Sequence, residues 1–228
     1  MHQEICQKIK YNFKNPLLLE EALTHSSMSQ INKSIKNYER LEFLGDSVLS
    51  LVITEILIKE FPSETEGDLA RRRAVLISGL SLCDIANKLN LSQYIRVSAG
   101  EENIGGRESP QILEDVLESL IGAIYMDGGL KPCVEFITEH WYSIIKNEKT
   151  PPIDAKTYLQ EWTQEKELGL PKYKVIERTG PAHSPVFLVE VLVKTMPIFK
   201  ASAASKRTAE KQAAQAMIDY IKENNAKD

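Results

Sequence analysis

The stretch NYERLEFLGDSVLSLVITEIL, residues 37–57, decides the fold. Read as a helix, it sets Glu39, Glu42 and Asp46 at spacings of three and four, so their carboxylates share one face of an otherwise apolar rod. Such a rod belongs in a core, where an uncompensated carboxylate costs several kcal/mol. Either the acids face water as charge partners of the helix N-terminus, or something cationic sits against them. Glu39 fits both readings. Glu42 and Asp46 are hemmed in by Leu41, Phe43, Leu44, Val48 and Leu49, which leave little helix surface for water. Gly45 is a second oddity, because a mid-helix glycine costs about 1 kcal/mol relative to alanine. Its bare backbone would let another element come close.

Outward from this stretch, residues 1–146 read as helix after helix. Apolar positions recur at three and four through PLLLEEALTH, RLEFLGDSVLSLVITEILIKEF, GDLARRRAVLISGLSLCDIANKL, QILEDVLESLIGAIYMDGG and VEFITEHWYSII. Pro62, Gly67, SAGEENIGGRESP and DGGLKP supply the stops. This part is all-α. One helix, ILEDVLESLIGAIY, carries Asp115 and Glu118 three apart on another apolar background. Packed against the first, it would gather Glu39, Glu42, Asp46, Asp115 and Glu118 in one cleft. Carboxylates so crowded repel one another and take up protons unless a divalent ion neutralises them. Oxygen donors without His or Cys favour Mg²⁺, with Mn²⁺ as a substitute, over zinc or copper. A carboxylate-bridged redox centre would want Glu-x-x-His, and the helices carry none.

With 43% hydrophobic and 26% charged residues the chain has a globular composition, not a disordered one. The longest apolar run, LVITEILI, is cut by Glu55, so no membrane span is expected and the chain reads as cytoplasmic. Cys6, Cys83 and Cys133 are far apart and lack Cys-x-x-Cys pairing, as reduced thiols rather than a disulfide or zinc framework would be. The charge is unevenly spread. Residues 1–150 hold 16 Lys+Arg against 22 Asp+Glu, a balance of −6, while residues 151–228 hold 12 against 10, a balance of +2. Pro151 and Pro152 mark an extended joint, giving a first domain at 1–146, a linker at 147–153 and a second domain at 154–228.

The second domain changes pattern. The helix DAKTYLQEWTQEKEL is followed by the alternating runs KYKVIERTG, PVFLVEVLVK and MPIFKASA and by the helix SKRTAEKQAAQAMIDYIK, an α-β-β-β-α order of the α+β class. Lys206, Arg207 and Lys211 crowd the start of the last helix. Cations there are disfavoured by the helix dipole unless an anion such as phosphate joins them.

ERLEFLGDSVL closely resembles the signature of the ribonuclease III endonuclease domain, and the likeness continues through ALTHSS, FPSETEGDLARRRAVL, GEENIGGRES and ILEDVLESLIGAIYMDGG. The second domain resembles the double-stranded-RNA-binding domain. The resemblance implies a metal-dependent endoribonuclease that cuts duplex RNA to 5′-phosphate and 3′-hydroxyl ends and matures rRNA and mRNA precursors. It implies Glu42, Asp46, Asp115 and Glu118 as metal ligands, Asp46 and Glu118 being catalytic, with Glu39, Glu66 and Arg107 at the substrate edge. It implies a homodimer in which Phe43 inserts into the partner, placing Gly45 at a close helix approach, although a contact within one chain explains Gly45 equally well. Thr157, Gln160 and Gln164 would meet 2′-hydroxyls, His183 would sit at a loop tip, and Lys206, Arg207 and Lys211 would meet phosphates, across about 16 base pairs. His25 reads as a hydrogen-bonded structural residue, the Arg71–Arg73 run as a solvated face or an RNA contact, and Glu114 as solvent-facing. Ala201, Ala203 and Thr208 depart from the family's glycines and third basic residue. The rival reading is a non-catalytic regulator that binds duplex RNA, and the complete carboxylate set argues against it.

Overall fold

The computed structural model describes residues 2–147, 151, 154–181 and 185–225. The chain divides into two compact units, Met1–Pro152 and Ile153–Asp228. The expected linker at 147–153 falls mostly outside the described residues.

The first unit is helical throughout: α1 (His2–Lys8), α2 (Pro16–Ala22), α3 (Ser26–Ile31), α4 (Glu39–Glu60), α5 (Glu66–Leu76), α6 (Gly79–Lys88), α7 (Ala99–Asn103), α8 (Pro110–Gly128) and α9 (Leu130–Asn147), with short 3-10 turns at Leu91–Tyr94 and Gly106–Glu108. The run from Gly67 to Leu89, which the periodicity predicts as one helix, is two. Ile77 ends α5, and the Ser78 hydroxyl accepts from the Ser81 amide to start α6, a serine cap that opens a new axis. The core is built around α4 and α8, with Leu49, Ile53, Leu57, Val116, Leu117, Leu120, Ile121 and Ile124 sealed between the surrounding helices. Burying an aliphatic side chain of that size stabilises by roughly 1.5–3 kcal/mol each, which is what holds two helices carrying crowded acids in place.

The second unit contains α10 (Ala155–Glu165), β1 (Lys172–Thr179), β2 (Val186–Leu192), β3 (Phe199–Ala203) and α11 (Lys206–Asn225). The strands pair antiparallel in the order β1-β2-β3, with an irregularity between Val175 and Glu177. α11 packs on the sheet and α10 packs against α11, and Leu159, Val191, Met217 and Ile218 form the core. Ala209, Ala213 and Ala214 are fully buried, their small side chains letting α11 lie close to the strands. Ala201 and Ala203 occupy the same half-buried face of β3 as Phe199, so the missing glycines cost the strand nothing visible. The α-β-β-β-α class holds.

Candidate functional site

The site begins with two glycines. A Cβ placed on Gly45 would lie 1.8 Å from the backbone oxygen of Glu118, and one on Gly122 would lie 2.1 Å from the backbone oxygen of Leu41. The two helices therefore cross backbone on backbone, within one chain, and this is the physical reason for the mid-helix glycine. No partner subunit is needed to explain it. The crossing brings the first two turns of α4 beside the middle of α8.

Charge shows that the acids meet. Burial, then the negative charges of Asp115, Glu39, Glu114 and Asp46, push the Glu42 carboxyl up to about 7. Burial, then Asp46, Glu114, Glu42 and Asp115, push Glu118 up to about 8. Five of the predicted positions, Glu39, Glu42, Asp46, Asp115 and Glu118, thus share one electrostatic neighbourhood. Glu39 and Asp46 are exposed at its rim and the other three are half-buried. Glu39 is tied to Asn37, whose side-chain amide donates to it at 3.2 Å. Among the described residues no three acidic, His or Cys side chains already enclose a metal-sized point. The donors nevertheless suit a hard divalent ion: all are oxygen, they repel one another, three are half-buried with two at the rim, and they are carried by helices whose backbones are locked together.

Glu114 corrects the expectation that it faces water. It is half-buried, with its carboxylate against Gly79: a Cβ there would lie 2.4 Å from Glu114 Oε2. That is the N-terminus of α6, where a negative charge is favoured. Burial and then Asp115 raise its carboxyl. It is a sixth acid of the cluster, and sequence adjacency concealed it.

Glu66 is not brought to the cluster. It is exposed at the start of α5 and lines a cavity of about 300 Å³ with Thr54, Leu57, Ile58, Leu69, Ala70 and Arg73. Arg107 lies in the turn before α8, ion-paired with Glu102. The Arg71–Arg73 run is largely structural. Arg72 is 2% exposed, held by Glu64 at 2.7 Å and stacked over Phe61, while Arg71 pairs with Asp68 at 2.6 Å. His25 caps α3, its Nδ1 accepting from the Ser27 amide at 3.2 Å.

In the second unit Thr157, Gln160 and Gln164 lie exposed along one face of α10, opposite buried Ala155, Leu159 and Thr163. Lys206, Arg207 and Lys211 are exposed in the first turns of α11. Two of them have internal counter-ions: Lys211 meets Asp154 at 2.9 Å, and Lys206 meets Glu210 at 3.9 Å. Glu210 also binds Lys156 at 2.6 Å. Thr208 joins the Ser205 cap, its amide donating to the Ser205 hydroxyl at 3.1 Å, so the missing basic residue is replaced by a capping contact. His183 lies outside the described residues.

An acidic helical crossing followed by an α-β-β-β-α unit with a basic helix start fits the class of nucleases that bind duplex RNA. Comparison with known proteins agrees. A Ribonuclease-III-like model matches residues 15–145, and a Double-stranded RNA binding motif matches residues 155–221. The chain is 47% identical over 217 residues to Ribonuclease 3 of Ehrlichia ruminantium (strain Welgevonden), covering 95% of this chain and 96% of that one. It is 44% identical over 223 residues to Ribonuclease 3 of Wolbachia sp. subsp. Brugia malayi (strain TRS), covering 97% and 92%. Among solved structures, the nuclease domain of ribonuclease III from Campylobacter jejuni matches 61% of this chain and 97% of its own at 43% identity, with a TM-score of 0.56. The chain belongs to the ribonuclease III family and is an endoribonuclease with a nuclease domain and a double-stranded-RNA-binding domain. No helix among the described residues is long and apolar enough to cross a membrane.

Proposed function

We propose that this enzyme hydrolyses phosphodiester bonds of duplex RNA with Mg²⁺, or Mn²⁺ in its place, held by Glu42, Asp46, Asp115 and Glu118. The products have 5′-phosphate and 3′-hydroxyl ends, and the substrates are rRNA and mRNA precursors in the cytoplasm. The observation that carries this reading is the Gly45–Gly122 crossing, which brings the acids of two helices to one place. When bound, the ion supplies an acidified water and offsets charge building up on the phosphate. The chain's own part is to hold the carboxylates: α4 presents Glu42 and Asp46, α8 presents Asp115 and Glu118. Thr157, Gln160, Gln164, Lys206, Arg207 and Lys211 hold the duplex, and Arg107 reaches it from the turn before α8.

The working form is a homodimer. On α4, Phe43 is 80% exposed, Leu51 57% and Ile58 55%, a stripe at helical spacing with Ser47 and Thr54 between. Phe43 stands near one end of the helix and the Glu66-lined cavity flanks the other, 11–15 residues on, or roughly 16–22 Å along the axis. Two copies crossing antiparallel about a two-fold axis near Leu51 would seat Phe43 of each in the cavity of the other, an isologous contact. That cavity, about 300 Å³ and lined by Leu57, Ile58, Leu69 and Ala70, suits a phenyl ring. Glu66 would then flank the other copy's Phe43 and, through it, that copy's carboxylate cluster. This would place Glu66 at the substrate edge of the other copy's site.

The test is a perfect RNA duplex incubated with the full chain, with and without Mg²⁺, beside Glu118→Gln. Metal-dependent cutting that Glu118→Gln abolishes while duplex binding survives is the expected result. Equal cutting by both proteins would remove Glu118 from the reaction.

A further inference from the structure

Asp115 is gripped from two sides. The Tyr38 hydroxyl donates to Asp115 Oδ2 at 3.0 Å, and the Gln111 side-chain amide donates to Asp115 Oδ1 at 2.7 Å. Tyr38 is 3% exposed and sits where α4 begins: its backbone oxygen accepts the Leu41 and Glu42 amides, and its amide donates to Thr24 at 3.0 Å. Its ring is steadied by His25, with centroids 5.6 Å apart. Gln111 lies one turn before Asp115 on the outer surface of α8, the i,i+4 spacing at which Gln and Asp side chains meet. A residue at the root of one acidic helix thus reaches across to fix an acid on the other.

We propose that Tyr38 and Gln111 are positioning residues that set the Asp115 carboxylate for a divalent ion, an inference that rests on the reading of Asp115 as a ligand. Both donors are neutral. A lysine or arginine there would satisfy Asp115 and compete with the ion, whereas a phenol and an amide fix the plane and leave the charge available. A carboxylate offers about four lone-pair sites, and two remain after these bonds. Holding the rotamer in advance removes part of the ordering cost that an ion would otherwise bear. Removal of an outer partner that orients a metal ligand typically weakens metal affinity about 10–100-fold.

The experiment titrates Mn²⁺ into the full chain and follows free Mn²⁺ by electron paramagnetic resonance, for the parent, Tyr38→Phe, Gln111→Ala and Asp115→Asn. Gln111 is exposed, so its variant tests the idea even if Tyr38→Phe folds poorly. The expected result is a loss of the site in Asp115→Asn and a 10–100-fold weaker site in Tyr38→Phe and Gln111→Ala. The Mn²⁺ midpoint for cleavage should rise by the same factor, with turnover recovering at saturating Mn²⁺. A purely structural role would lower the melting temperature and leave the midpoint where it was. Parent-like Mn²⁺ affinity in both variants, with the site lost in Asp115→Asn, overturns the positioning role alone. Parent-like affinity in Asp115→Asn overturns the ligand reading itself.

Discussion

Glu118 is pushed up furthest of the clustered acids, by burial first and by its acidic neighbours second, and its behaviour with pH follows from sign. The folded chain holds protons on Glu42 up to about 7 and on Glu118 up to about 8, where ordinary glutamates have released theirs near 4.5. Between those limits the folded state binds more protons than the unfolded state, so the contribution of these groups to stability falls as pH rises. In EDTA the melting temperature should therefore carry a decline from about pH 5 to about pH 8 that Glu118→Gln reduces. At pH 8 the glutamine variant should melt above the parent, since one of the repelling charges is gone, and scanning calorimetry reads this directly. Its cleavage should fall by more than about 100-fold, because losing a ligand costs more than losing an outer partner. A glutamine variant that melts lower than the parent in EDTA at pH 8 would mean the acids do not repel as their crowding implies.

At the scale of elements, the α4–α8 crossing can be broken by one methyl group. Gly45→Ala sets a Cβ 1.8 Å from the Glu118 oxygen, a clash only backbone movement relieves, and overpacking of this kind costs about 1–3 kcal/mol or more. Urea unfolding should show that loss. Gly122→Ala should behave likewise, and the double variant should cost less than the sum, because a crossing once opened admits both methyls. Periodicity made both helices legible, and the mid-helix glycine announced that something comes close. Which helix comes close was not legible, because packing partners are chosen by faces that local spacing leaves open. The same gap hid Glu114, whose partner is the N-terminus of another helix, and Tyr38, whose partner lies 77 residues away. Gln111 was within reach of sequence reasoning, being four residues from Asp115. The break between α5 and α6 was readable too, in the Ser78 cap followed by Gly79.

For the whole molecule, the proposed function predicts that assembly and substrate hold are separable. Phe43→Ala should leave the protomer folded, since the ring is 80% exposed there, yet sedimentation should show monomers where the parent shows dimers. An unchanged dimer would remove Phe43 from the interface. Replacing Lys206, Arg207 and Lys211 together by alanine should flatten the salt dependence of duplex binding. Each phosphate contact contributes about 0.9 to the slope of log K on log salt. Lys206 and Lys211 are each already paired with a carboxylate, Glu210 and Asp154, so the drop should lie between about 1 and about 2.7. A parent-like slope would move the phosphate contacts elsewhere. The acidic crossing also bears on the order of events. Six gathered acids, Glu39, Glu42, Asp46, Glu114, Asp115 and Glu118, leave net negative charge facing a polyanion even while Glu42 and Glu118 keep protons near neutral pH. A duplex held by the second unit would, under the proposed function, meet repulsion at the acidic cluster until a cation is bound there. Under the proposed function the ion enters before the scissile phosphate, so metal supply gates admission as well as chemistry, and rapid-mixing experiments should show a lag when RNA is added ahead of Mg²⁺.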